Sequence, residues 1–348
     1  MSAPFVFTLP KELAAKEPAE RRGIGRDEVR LMVIDRTENN KVTHTRFNHL
    51  SEFLQPGDLL VFNSSRTLPA SLKGCQTNGI CLEVRLAHKQ TDDSWLALLL
   101  CQQGERFSCG LRNGMELDLG LGLTATVERQ DSHIHRLWQI RFNHRHTELI
   151  DLFYRLGQPV RYSYVSSPWD LDYYQTVYAV EPGSAEMPSA GRAFTWKLLF
   201  DLKRRGIETT NIVLHTGLSS YLDDELDAQH PASTEEYFIG NEAAEKINYA
   251  RSRGNRIIAV GTTVVRALES AIARGKITPQ HNYTRLHINA NHQLKAVDAL
   301  LTGMHEPEAS HLDLLTAFLP TEQIKTAYTD AVARQYLWHE FGDLNLII

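Results

Sequence analysis

The residues best suited to chemistry fall at the ends of short apolar runs. "VFNSSR" (61–66) ends one run with Asn63 and Arg66, and "VLHTGLSSY" (213–221) ends another with His215 and Gly217. "IAVGTTVVRALES" (258–270) passes through Gly261, Thr262 and Thr263 into a helical pattern that carries Arg266 and Glu269. "LLTGMHEP" (300–307) offers Met304 and His305. Histidines and a carboxylate at such places suit proton transfer. A threonine at a helix start leaves backbone N–H groups for an anion or carboxylate, and arginine suits carboxylate or phosphate. "EPGSAEMPSAGRAFTW" (181–196) is a fifth such place. Its small residues, Ser189, Ala190 and Gly191 among them, stand before a helical pattern that opens at Phe194, Thr195 and Trp196, with Arg192 in the middle. Removing side chains ahead of a helix lets something approach the backbone.

Each residue also has an ordinary explanation. Thr262 or Thr263 can serve only as a helix cap, and a lone histidine is commonly a satisfied polar residue. Arg66 can be an ion-pair partner, and Glu269 can pair with Arg266 or Lys276 on a solvated helix face. The pairs His133/His135 and His144/His146 lie in strand or loop context and do not suggest a metal site. What favours a site is coincidence, because in open α/β sheets ligands bind beyond the carboxyl ends of strands.

The surrounding pattern supplies such a sheet. "LMVID" (31–35), "LLVF" (59–62) and "RIIAV" read as buried strands, and "IETTNIVLH" as another. Helical patterns precede Gly157, Gly206, Gly254 and Gly275, and a last helix is expected over 322–341. Repeated strand-to-helix alternation predicts an α/β fold with a largely parallel sheet. Between about 69 and 142, short alternating runs separated by Gly, Asn and Asp predict an inserted all-β module of about six strands. The expected division is therefore 1–66 with 147–348 as a discontinuous α/β domain, and 67–146 as an inserted barrel.

Composition narrows the class. The 348 residues are 42% hydrophobic and 23% charged, with a net charge of −5, so any RNA contact needs a local basic patch. Arg21, Arg22, Arg26 and Lys203–Arg205 are basic clusters, most simply read as solvated charge. The P-loop, the Rossmann glycine fingerprint and the G-x-S-x-G elbow are missing, which argues against ATPase, dehydrogenase and serine hydrolase. Cys75, Cys81, Cys101 and Cys109 lack metal spacing and are expected as reduced thiols. The first residues lack the pattern of a signal peptide and no run has membrane-spanning length, so a cytoplasmic protein is expected.

As a set, "PGDLLVFNSSRTLPA" (56–70), "YQTVYAVEPGSAEMPSAGRAFT" (174–195), "RIIAVGTTVVRALES" (256–270) and "VDALLTGMHEPEAS" (297–310) resemble the S-adenosylmethionine:tRNA ribosyltransferase-isomerase family of queuosine synthesis. "KEPAERR" and "FGDLNLI" extend the resemblance over the whole chain. It implies an α/β domain with an inserted β-barrel. It also implies transfer of the ribosyl part of S-adenosylmethionine to a 7-aminomethyl-7-deazaguanine base in tRNA, with isomerisation to an epoxycyclopentane and loss of adenine and methionine. S-adenosylmethionine is then a substrate, tRNA a partner, and no metal or further cofactor is implied; the oligomeric state stays open. Under this resemblance His215, His305 and Glu269 are acid/base candidates. Asn63, Arg66, Gln175, Gly217, Gly261, Thr262, Thr263, Arg266 and the 189–195 stretch are binding candidates, and Tyr174, Phe194 and Tyr221 are possible aromatic walls.

The chain departs from the family pattern in these same segments. Where the family has P-T-A-G-L-H-F-T, Arg192 replaces leucine and Ala193 replaces histidine. Ser64 and Ser71 replace an aspartate and an arginine, Ser233 replaces a histidine near the family's H-x-M-H-S-E stretch, and Gly303 and Met304 replace Asn and Phe. His311 and Asp313 replace leucines. Arg192 is thus expected to be a free cation for an anionic group. Two alternatives follow: a paralogue using S-adenosylmethionine or a related nucleoside on another small acceptor, or a silent binder of tRNA or nucleoside.

Overall fold

The structure, a computed structural model, describes residues 7–77, 79–101, 110–165, 167–222, 234–307 and 310–348. Its centre is a nine-stranded sheet. From one edge the strands are Gln280–Thr284, Glu235–Ile239, Glu208–Leu214, Leu59–Asn63, Ile257–Val260, Ala299–Gly303, Leu344–Ile347, Arg30–Asp35 and Lys41–Arg46. Glu208–Leu214 through Ala299–Gly303 form four adjacent parallel strands. Antiparallel pairing flanks them on both sides, so the sheet is mixed and its parallel part is central.

The central strands are continuous apolar runs because both faces are covered. Leu59, Val61, Ile257 and Ala259 pack on one face, with Val264, Leu268, Ile247, Ile324 and Tyr328 from three helices. Leu60, Phe62, Ile258 and Val260 pack on the other, with Leu198 and Leu202 from the helix Trp196–Arg204. This alternation is the two-residue period of a strand.

Six antiparallel strands between Ser71 and Phe142 close into a barrel. Closure leaves no free edge. Leu82, Val84 and Leu86 alternate inward, as do Leu123, Ala125 and Val127. The helix His146–Leu156 packs Leu149, Leu152 and Phe153 onto this core, with the Phe153 ring 5.5 Å from Trp95. Tyr221 joins the same core and so is no binding wall.

Three expectations are corrected. The last helix is Thr321–Ala333, ending where Gln335 takes a positive φ of 59°, and Tyr336 is buried beyond it. The helix begun at Thr262 ends at Ala271, and a two-residue hairpin, Ile272–Ala273 with Lys276–Ile277, replaces its last turn. Cys75 and Cys81 are not free thiols. They face one another across an antiparallel pair and form a disulfide, and Cys101 is also disulfide-bonded. Cys109 lies outside the described residues.

Candidate active site

The carboxyl ends of the four parallel strands lie along one edge of the sheet, and the small-residue stretch runs across them. Glu181–Ser184 pairs in parallel with Ser65–Thr67, just beyond Asn63. Gly183 lies against His215 at the end of Glu208–Leu214; a Cβ there would stand 2.4 Å from the imidazole. Further along, Ala190 lies 3.7 Å from where a Cβ of Gly261 would be, and Ser189 Oγ 3.9 Å from one at Gly303. A Cβ on Gly191 would stand 1.8 Å from the Tyr178 hydroxyl. Glycine is therefore required at 183, against the His215 strand end, and at 191, against Tyr178, while Ser189 and Ala190 lie in ordinary contact with the strand ends.

At one end of the crossing, a buried polar chain forms. Ser184 Oγ is 2.6 Å from Ser65 Oγ, which is 2.8 Å from His215 Nδ1, and the Thr216 N–H donates to Ser184 Oγ. Burial lowers the His215 pKa below the usual histidine value, against the opposing pull of Glu236 and Glu181. The imidazole is neutral at pH 7 and keeps one lone pair. It opens on two clefts of about 420 and 780 Å³, one between barrel and sheet and one beside Glu236 and Lys246. His305, at the end of Ala299–Gly303, is also neutral, because burial lowers its pKa to about 4. Its Nε2 lies 2.7 Å from Thr302 Oγ1 and its ring stacks on His311 at 5.0 Å.

Most of the remaining candidates are occupied within the protein. Arg192, 4% exposed, bonds Glu20 at 2.7 Å, donates to the Tyr173 carbonyl and lies over the Phe341 ring. It is not the free cation the sequence suggests. Glu269 is buried and accepts the backbone N–H groups of Lys295, Ala296 and Val297, with His292 Nε2 at 3.2 Å. It does not pair with Arg266 on a solvated face. Arg266 bonds Glu235 and the Leu286 carbonyl.

Asn63 clamps Leu214 through both amide atoms, and Gln175 clamps the backbone of Thr67 in the same way. Phe194 packs in the sheet core against Phe47 and Phe62, each at 4.9 Å, and Ala193 joins that core. Thr195 caps the helix Trp196–Arg204 by accepting from the Leu198 N–H. Arg66 stacks over Tyr154. Neither Thr262 nor Thr263 caps its helix: Gly261, at φ 98°, takes the N-cap position without a side-chain bond. Gly217 lets the barrel approach, since a Cβ there would stand 3.0 Å from His88 Nδ1. Ser233 lies outside the described residues.

Two carboxylates escape sequence reasoning. Glu186 accepts from the Ser219 N–H at 2.7 Å and bonds the Tyr162 hydroxyl. Burial pushes its carboxyl up to about 7. Burial, then the charge of Glu186, pushes Glu340 up to about 8, against Arg192. Glu186 had a signal, being the only charged side chain between Glu181 and Arg192 in a stretch of small residues. Glu340, 154 positions away, had none that a single sequence displays. No group of three or more His, Cys, Asp or Glu among the described residues could hold a metal ion.

A mixed α/β sheet with an attached six-stranded barrel, and a polar crossing along its carboxyl edge, defines a two-part α/β enzyme architecture. Residues 2–347 match the family described as "Queuosine biosynthesis protein", and the chain belongs to that family. It is 37% identical over 347 residues to the S-adenosylmethionine:tRNA ribosyltransferase-isomerase of Carboxydothermus hydrogenoformans, covering 99% of this chain and 98% of the relative. It is 36% identical over 350 residues to that of Heliobacterium modesticaldum, with the same shares. The crystal structure of S-adenosylmethionine tRNA ribosyltransferase from Thermotoga maritima is similar at 30% identity and a TM-score of 0.54, over 99% of this chain and 100% of that one.

Proposed function

We propose that this protein transfers and isomerises the ribosyl moiety of S-adenosylmethionine onto a 7-aminomethyl-7-deazaguanine base in tRNA, giving epoxyqueuosine and releasing adenine and methionine. The observation that carries this is similarity at 37% identity over 99% of the chain to a relative bearing that enzyme's name. S-adenosylmethionine and tRNA are the substrates. A protein that modifies tRNA is expected to work in the cytoplasm. No helix among the described residues is long and apolar enough to cross a membrane. Residues 67–146 act as a barrel unit inserted into the catalytic α/β domain.

The chemistry sorts the candidates. The sulfonium acidifies the neighbouring C5′ hydrogens, and a neutral, partly enclosed imidazole within reach can take one. His215 fills that role, held by Ser65. His305 remains neutral well below pH 7, so it is a poor acid for departing adenine and instead helps shape the site beside Ser189 and Gly303. Gly261, Thr262 and Thr263, where no side chain occupies the helix start, receive the methionine carboxylate. The backbone of Ser189 and Ala190 lies along the bound nucleoside.

The test is adenine release, followed by chromatography, from S-adenosylmethionine with tRNA carrying the aminomethyl base. Release that requires both substrates, and that falls by about 100-fold or more in His215→Asn, is expected. No release by the unaltered protein overturns the proposed activity, and full activity of His215→Asn overturns the assigned base.

A further inference from the structure

We propose that Glu186 and Glu340 line an acidic, aromatic pocket that takes a primary ammonium group and removes one proton from it. Under the activity proposed above, on which this rests, that group is the aminomethyl substituent of the acceptor base.

The two residues reach the pocket from distant parts of the chain. Glu186 comes from the stretch that crosses the strand ends, and Glu340 from the turn that follows the last helix. Around them stand Tyr162, whose hydroxyl bonds Glu186, and Tyr164, whose ring stacks on His339 at 4.1 Å. Tyr174 closes the group, its ring 5.1 Å from Phe341. Both carboxylates are partly exposed, and burial among the groups around them pushes them up, to about 7 for Glu186 and about 8 for Glu340.

Two buried polar atoms there have no hydrogen-bond partner among the described residues. One is Glu340 Oε1, and the other is the hydroxyl of Tyr174, a residue 2% exposed whose ionisation responds to Glu340. Buried polar atoms left without partners are costly and call for an occupant. The occupant must donate hydrogen bonds to a carboxylate and a phenol oxygen, and must relieve the mutual repulsion of two carboxylates. A compact cation with several N–H donors does both, and aromatic walls suit a cation. Arg192 does not fill the role, because its charge is committed to Glu20.

The proton step balances. As the ammonium R–CH2–NH3+ enters, the proton the pair holds near pH 7 leaves to the buffer; a carboxylate of the pair then accepts one proton from the ammonium, and R–CH2–NH2 remains with its lone pair free. A carboxyl near neutral pKa is matched to that exchange. Besides burial, Glu186 and Arg192 act on Glu340, and Ser219, Arg85 and Glu235 act on Glu186; Tyr164 and Tyr174 feel the charge of Glu340, and Tyr162 bonds Glu186.

The experiment uses the full chain and two free bases, 7-aminomethyl-7-deazaguanine and its neutral 7-cyano analogue. Binding is measured by calorimetry at pH 7 in buffers of different ionisation enthalpy. The aminomethyl base is expected to bind at least about tenfold more tightly (a 1.4 kcal/mol preference) and to release protons from the pair as it binds. Glu340→Gln and Glu186→Gln should each lose most of that preference and the proton release, while folding with an unchanged circular-dichroism spectrum. Equal affinity for the two bases, or Gln variants that keep both the preference and the proton release, would overturn the proposal. A Gln variant that unfolds is replaced by the unaltered protein titrated from pH 6 to 9, where a preference that does not change with pH overturns it equally. Binding is read without turnover, so failure of the ribosyl transfer leaves the pocket's test intact. Transfer by the unaltered protein with unselective binding sinks the pocket alone.

Discussion

Replacing Arg192 by leucine tests whether its cation is structural. The guanidinium, 5% exposed, holds Glu20 at 2.7 Å, donates to the Tyr173 carbonyl at 2.8 Å and lies 5.2 Å from the Phe341 ring centre. Removing one partner of a buried pair costs about 3–5 kcal/mol when the other is left alone. Glu20 is not left alone: Arg26 stands 3.0 Å away, and the Glu20 side chain is 30% exposed. Those two facts roughly halve the ionic loss. Adding a hydrogen bond of about 1 kcal/mol to a carbonyl, and crediting leucine for apolar burial, Arg192→Leu should destabilise by about 2–4 kcal/mol. Urea unfolding measures this as a shift in midpoint at constant slope. A double-mutant cycle with Glu20→Gln should return a coupling of about 1–3 kcal/mol. Burial raises the Glu20 carboxyl, but Arg192 and then Arg26 outweigh it, so its pKa is depressed below 4.5 in the fold. A depressed carboxyl stabilises above its unfolded pKa, so the coupling should be full at pH 7 and fade as pH falls below about 4.5. A loss under about 0.5 kcal/mol, or a coupling that does not weaken in acid, refutes the account. Tighter binding of an anionic acceptor by the unaltered protein than by Arg192→Leu, with equal stability, would restore the free cation.

Two further substitutions separate structural from chemical roles. Glu269→Gln places an N–H donor among the three backbone donors of Lys295, Ala296 and Val297. It should lower stability by about 1–3 kcal/mol with adenine release per folded molecule unchanged within about twofold; a 100-fold fall in kcat at full stability would make Glu269 catalytic after all. Gly191→Ala drives a methyl to 1.8 Å from the Tyr178 hydroxyl, which should cost about 1–3 kcal/mol by overpacking. Tyr178→Phe in the same chain removes that oxygen and leaves the ring carbon at 3.0 Å, so the double variant should recover about half of the loss in a thermal melt; no recovery means the glycine serves something other than this contact.

What the sequence displays depends on range. Runs such as Leu59–Asn63 and Ile257–Val260 are legible because burial on both faces demands unbroken apolar residues. The barrel strands are legible because one face alternates. The stretch at 181–196 is legible as a close approach, but what it approaches is the protein's own strand ends. Arg192 misleads because Glu20 is 172 positions away, and Glu269 because its three N–H donors lie 26–28 positions on. An isolated charge looks identical whether it awaits a ligand or a distant partner. Gly261 displaces the neighbouring threonines as cap for a local reason: φ of 98° disfavours any residue with a Cβ.

The arrangement of the 215–219 turn explains why the barrel and the polar crossing belong to one site. Ala185 N–H donates to the Thr216 carbonyl, Thr216 N–H to Ser184 Oγ, Thr216 Oγ1 to the Glu186 carbonyl, and Ser219 N–H to the Glu186 carboxylate. Four bonds thus zip this turn to residues 184–186, so His215 and Glu186, the proposed base and one wall of the proposed pocket, are held by one pair of backbones. Gly217 sits in the middle of the turn, where the barrel's Ala87 and His88 press against it. A side chain there would push the barrel away or push the turn off its partner. Either displacement disturbs His215 and Glu186 together, although Ser65 and the Glu236 carbonyl also hold His215 and Tyr162 also holds Glu186. The barrel strand that carries His88 is therefore part of the wall that fixes both groups, and its position relative to the sheet sets the width of the cleft into which His215 opens.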